Sequence, residues 1–152
     1  MKVIRIITVI IAFVSMAFIL ACSEEKSASL EGHEDIVAVL QKLPQCLKTP
    51  DIVNEIYVTD AILIRETDGG HVVEMKGLQE IKNWKRVSGR KTLWKNLSIK
   101  SIEKETDIAH VVYQFISQPL ITDGEEYTFK CSAEMVKDGQ KWKVKKERVN
   151  WS

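Results

Sequence analysis

Between residues 34 and 47 the apolar positions Ile36, Leu40, Leu43 and Leu47 recur at steps of four, three and four, which is one face of a helix. Pro44 lies inside this stretch and kinks or shortens it, because proline lacks the N–H that an interior turn needs. Thr49-Pro50-Asp51 reads as the next helix start, with threonine as N-cap, proline at the first helical position and an acid in the first turn. That short helix is expected to run to about Tyr57. Asp60 to Arg65 is strand-like, Glu66 to Gly70 is its turn, and His71 to Met75 is the returning strand. After Gly77 the helical period returns. Leu78, Ile81, Trp84 and Val87 share a face, and Ser88 to Lys91 ends the helix.

From there on the period is two. Leu97, Ile99 and Ile102 sit in one strand, and Ile108 to Ile121 is a long β-branched run. Tyr127, Phe129, Cys131, Ala133 and Met135 then alternate with Thr128, Lys130, Ser132 and Glu134, the pattern of a half-buried strand. Lys137 to Gln140 turns the chain, and Trp142 to Trp151 is the last strand. Three helical segments and a hairpin followed by a long antiparallel meander predict an α+β domain. Lys141, Lys143 and Lys145 alternate with Trp142 and Val144 as a basic stripe. It is read as a solvated sheet face, with acidic headgroups or a partner protein as the alternative contact.

The first 33 residues are different. Met1 to Arg5 is short and basic, Ile6 to Leu20 is apolar apart from Thr8 and Ser15, and a polar stretch follows Cys22. This is the order of an export signal. Its apolar run of 15 residues is shorter than the roughly 20 a permanent membrane-spanning helix needs. Ile19-Leu20-Ala21-Cys22 resembles the bacterial lipobox, although leucine at its second position is less usual than a small residue. The resemblance implies cleavage before Cys22, thioether-linked diacylglycerol on that thiol, and a cell-envelope location on the periplasmic face of the outer or inner membrane. Two acyl chains hold a protein stably where one does not. The expected organisation is a signal at 1–21, an acylated tether at 22–33 and one folded domain at 34–152. The signal carries two of the 22 cations and none of the 21 anions, so the remainder is close to neutral and gives no support for nucleic-acid binding.

Within the domain, Leu47 to Ala61, Gly77 to Ile81, Asp107-Ile108-Ala109 and Lys137 to Val144 resemble, in order and spacing, the nuclear transport factor 2-like superfamily with its SnoaL-like and ketosteroid-isomerase-like branches. The resemblance implies a curved antiparallel sheet wrapped around N-terminal helices as a cone, a cystatin-like barrel with a cavity at its open end. It also implies a tendency to dimerise through the outer sheet face. The isomerases of this superfamily carry a tyrosine donor and an aspartate base at positions that fall on Leu43 and Arg65 here. A leucine has no proton to donate, and a guanidinium stays protonated. That chemistry is disfavoured.

The fold hosts many functions, so the site must decide. Tyr57, Trp84, Tyr113 and His71 are the candidate pocket residues, with Phe115 and Trp142 as further aromatics that can equally pack a core. His33, His71 and His110 show no spacing that marks a general base. No metal-ligand spacing, nucleophile motif or phosphate loop is present, and no cofactor is expected. Asp51 and Asp60 are read as a helix-start acid and a turn acid. Cys46 and Cys131 are either a disulfide between helix and sheet or two buried thiols. The expectation is a lipid-anchored module that binds a small hydrophobic ligand or a partner protein. The alternatives are an isomerase, cyclase or dehydratase acting on a small carbonyl compound, and a non-catalytic dimerising subunit. Cys22→Ser should abolish acylation and leave the signal uncleaved, as read by incorporation of a clickable fatty acid in cells. Equal label in wild type and mutant would show that Cys22 is not the lipid anchor.

Overall fold

Two runs of alternating residues longer than ten positions cannot bury their apolar face alone, and the chain solves this by bending one sheet over a few short helices. The computed structural model describes residues 30–67, 69–120 and 124–151. The signal, Cys22 and the tether to residue 29 lie outside the described residues. In chain order the elements are α1 (Glu34–Leu40), two 3-10 turns (Leu43–Leu47 and Pro50–Ile52), α2 (Val53–Ile56), β1 (Tyr57–Glu66), β2 (Val72–Lys76), α3 (Gly77–Gly89), β3 (Thr92–Lys104), β4 (Ile108–Pro119), β5 (Tyr127–Asp138) and β6 (Lys141–Trp151).

The six strands form one sheet in the order β2-β1-β6-β5-β4-β3. Every neighbouring pair is antiparallel except β1 with β6, which run parallel. The α+β architecture matches the expectation, with a mixed sheet in place of a wholly antiparallel one. Pro44 breaks the first helix as expected: α1 stops at Leu40 and only a 3-10 turn follows. Thr49 stands at the next helix start without a capping hydrogen bond from its side chain. Asp60 lies inside β1, which begins three residues earlier than expected, and not in a turn.

Curvature comes from extra residues in the strands. β3 carries two register shifts against β4, between Lys95 and Ser98 and between Ile99 and Ser101. Asn96 takes the first of these in the left-handed conformation, φ 53°, which asparagine tolerates better than most residues. β6 has a third shift: Val144 faces Met135 while Lys146 faces Glu134, leaving Lys145 as the extra residue. A bulge bends and twists its strand. It also reverses which residues point inward. Trp142 and Val144 are buried before it, and Glu147 and Val149 after it.

Inside the bend, α3 packs on β1 and on the 3-10 turn at Leu43–Leu47. Its C-terminus comes so near that a Cβ on Gly89 would lie 1.9 Å from the Leu47 carbonyl oxygen, so no other residue fits there. Ile81 is buried as expected, but Val87 is exposed, and the buried position one turn after Ile81 is Lys85. The basic stripe is not bare either. Lys143 pairs with Asp138 at 2.8 Å and Lys145 with Asp60.

Candidate functional site

Two neighbouring features occupy the concave side, a sealed polar cluster and an open aromatic cleft. The cluster centres on Glu147, which the Lys145 bulge turns inward and which is fully buried. Tyr57, at the start of β1, donates its hydroxyl to Glu147 Oε2, and Tyr113, in the middle of β4, donates to Oε1. Lys85, also fully buried, reaches from α3 and sets its Nζ 3.6 Å from Oε2. That ammonium has no hydrogen-bond partner among the described residues. It lies over the ring of Trp94 at 4.3 Å, with Trp84 at 5.3 Å and Tyr57 at 5.6 Å, an arrangement in which ring faces attract a cation.

Burial governs the other titratable groups around it. The Cys46 thiol is pushed up to about 11 by burial, with Lys85 opposing the shift. Cys131 is driven up further, by burial and then by Glu147. Tyr57 and Tyr113 are also held well above the ordinary phenol range, by burial first and the Glu147 charge second. Both cysteines are free thiols, so of the two readings the disulfide is not formed. A thiol this hard to ionise is a poor nucleophile.

The cleft lies between the last turn of α3 and the β3, β4 and β5 end of the sheet, with a volume of about 160 Å³. Trp84, Trp94, Phe129 and Val149 supply its apolar surface. Ser88, Thr92 and Ser117 contribute hydroxyls, and Arg65 and Lys91 contribute charge. Its wall is a run of rings: Trp84 to Trp94 at 6.0 Å, Trp94 stacked on Phe115 at 4.0 Å, and Phe115 stacked on Phe129 at 5.3 Å. Trp94 therefore both lines the cleft and carries the Lys85 ammonium over its ring. Glu147 does not line the cleft.

Of the expected pocket residues, only Trp84 touches this cleft. Tyr57 and Tyr113 lie deeper, bound to Glu147. His71 is a correction: it is exposed beside the β1–β2 turn, where two glycines leave nothing to cover it. His110 is exposed on the outer sheet face, and His33 is half-buried before α1. Phe115 and Trp142 belong to the core. The two aspartates are structural, as expected, though through ion pairs. Lys82 holds the Asp51 carboxyl below its usual range, and Lys145 does the same for Asp60. Among the described residues no three His, Cys, Asp or Glu side chains gather into a possible metal site.

No family model and no curated protein matches the sequence. Solved structures do. An NTF-2-like protein of unknown function from Silicibacter pomeroyi superposes with a TM-score of 0.62 at 11% identity, over 82% of this chain and 99% of that one. A ketosteroid isomerase-like protein from Erwinia carotovora gives 0.64 at 13%, over 78% and 92%. An NTF2-like protein of unknown function from Shewanella baltica gives 0.60 at 15%, over 84% and 98%. The domain has the nuclear transport factor 2-like fold.

Within this NTF2-like domain, the positions inferred for the isomerase donor and base hold groups unsuited to those roles. Leu43 is fully buried in the core, and Arg65 faces the cleft with its guanidinium 5.8 Å from the Trp84 ring centre. The site residues that sequence reasoning missed are chiefly Lys85, Glu147 and Trp94. Lys85 had one available signal, its position four residues after Ile81 on the inward stripe.

Removing one member of a buried ion pair costs roughly 3–5 kcal/mol, far above the 0–1 typical of exposed pairs. Lys85→Met should therefore lower folding stability by about that amount in urea denaturation, and Lys85→Met with Glu147→Leu should cost less than the sum of the two single changes. An additive double mutant would show that the pair is not coupled.

Alkali gives a second readout under reducing conditions. Below the ordinary thiol value of 9.0, Cys46 keeps its proton in the folded and unfolded chain alike. Between pH 9 and about 11 only the unfolded chain releases it, so stability falls as pH rises. The loss from Cys46 is on the order of 2–3 kcal/mol, and Cys131, Tyr57 and Tyr113 add to it in the same direction. A urea midpoint unchanged up to pH 11 would contradict this.

Proposed function

We propose that this protein is a lipid-anchored component of the bacterial cell envelope, held to the membrane through diacylglycerol on Cys22, whose NTF2-like domain binds a small, largely apolar ligand in the cleft beside α3. The anchoring half rests on the basic start, the 15-residue apolar run and Ala21-Cys22. The binding half rests on one observation: a concave site whose walls are mainly aromatic and aliphatic, with a few hydroxyls and cations. That is the usual constitution of a small-molecule site.

Size restricts the ligand. A volume of about 160 Å³ compares with the cavity of roughly 150 Å³ known to take up benzene, and falls below the 300–1,000 Å³ of drug-sized sites. One ring with a short substituent fits.

The position of Glu147 favours binding over catalysis. A general base must come within hydrogen-bond reach of the proton it removes. Glu147 instead accepts from two phenols, faces Lys85 and does not line the cleft.

Native mass spectrometry of the protein extracted from its own host in mild detergent tests the proposal and reports oligomeric state in the same spectrum. The expected result is a retained small molecule that is lost in Ser88→Phe, a substitution that fills the cleft from a half-buried helix position. Identical retention in the variant would place the ligand elsewhere.

A further inference from the structure

The cleft has a charge pattern that its apolar walls do not require. Among its lining residues are two cations, Arg65 and Lys91, and no acid. Some cations near the sheet have carboxylates: Lys82 has Asp51, Lys95 has Glu126, Lys143 has Asp138 and Lys145 has Asp60. Arg65 and Lys91 have none among the described residues. They also come from different elements, Arg65 from β1 and Lys91 from the link between α3 and β3.

Each is placed for a reason that can be read from the fold. Arg65 pairs with Val149 across the parallel β1–β6 ladder, in the inward-facing row that also holds Cys131 and Tyr113. An arginine in an inward row must put its head somewhere polar or over a ring, and here it lies over Trp84. The same side chain lines the cleft. Lys91 is tied by its backbone, since its carbonyl accepts from the Leu120 N–H. Ser117, almost fully buried, and Thr92, half-buried, set hydroxyl groups in the same lining.

Resting on the cleft being a ligand site, we infer that its ligand is an anion: a one-ring aromatic carboxylate whose ring lies among Trp84, Trp94 and Phe129 and whose carboxylate is met by Arg65 and Lys91. The guanidinium fork matches a carboxylate in two parallel hydrogen bonds, and a charge-assisted pair is about twice as strong as a neutral one. The flat rings of the wall suit a flat ring in the ligand. A neutral ring compound of the same shape would fill the space and leave both cations unanswered. A long fatty acid would outrun the volume.

The test uses the full acylated chain in phosphatidylcholine nanodiscs, with empty nanodiscs as blank. Phenylacetate and its neutral counterpart phenylacetamide are titrated, and tryptophan fluorescence is read because Trp84 and Trp94 line the site. Phenylacetate is expected to bind at least about tenfold more tightly than phenylacetamide. Lys91→Gln, an exposed change, should reduce that preference. Arg65→Gln with Lys91→Gln should abolish it. Arg65→Lys, which keeps the charge and loses the fork, should retain only part of it. Equal binding of the two compounds by wild type, or a preference that survives the double change, overturns the anion assignment while the cleft stands as a ligand site. Failure of both compounds to bind overturns the cleft itself.

Discussion

A carboxylate with no water around it has to be answered on every side, and the interior of this domain is arranged around that demand. Glu147 receives one phenol from β1, another from β4 and an ammonium from α3. Three elements far apart in sequence are thereby drawn to one point on β6. Apolar packing alone is tolerant of small slips, since exchanges of similar volume cost little. A buried charge is not tolerant, because one missing partner leaves desolvation uncompensated. The cluster thus fixes how α3 lies across the sheet, and the placement of α3 in turn sets Trp84 and Ser88 at the edge of the cleft.

The two halves of the interior meet at Trp94. Its ring carries the Lys85 ammonium on one side, stacks on Phe115 and shows its remaining surface to the cleft. Polar cluster and cleft are therefore one ring apart without being one site. That thin partition keeps the titratable cluster out of the cleft lining. Glu147, Lys85 and two phenols are the kinds of groups that proton transfer uses. Here they answer one another.

The fold was legible because its signals are periodic. The strand pattern of Tyr127 to Met135, the Pro44 break and the helix after Gly77 each carry a local physical cause that survives in the structure. The site was much less so. Trp84, an aromatic on a helix face, is conspicuous in sequence and lines the cleft, whereas His71 stands out by residue type alone and sits on an open turn. Glu147 went unseen because alternation from Trp142 and Val144, continued without interruption, points it at solvent. The chain does signal the interruption. Apolar residues occupy even positions at 142 and 144 and an odd one at 149, with four charged residues from Lys145 to Arg148 between them. A change of phase within one strand is what a bulge looks like in sequence. Lys85 was hidden differently: a lysine on an inward stripe is ordinarily taken as a long stem reaching out to water, and only the carboxylate opposite explains why this one stays inside.

The parallel contact of β1 with β6 sets an order of events in time. Its register joins residues 57–65 to residues 144–149, so two neighbouring strands of the sheet come from opposite ends of the domain. A growing chain can form the α3 turn and the β3–β4 hairpin early, yet cannot close the sheet until residues 144–149 have been made. Pairings this distant in sequence fold slowly, because the intervening chain must be ordered before they form. Glu147 belongs to that last segment, and without it Tyr57, Tyr113 and Lys85 have no common partner. The domain therefore completes its interior late, only when the last strand has been made.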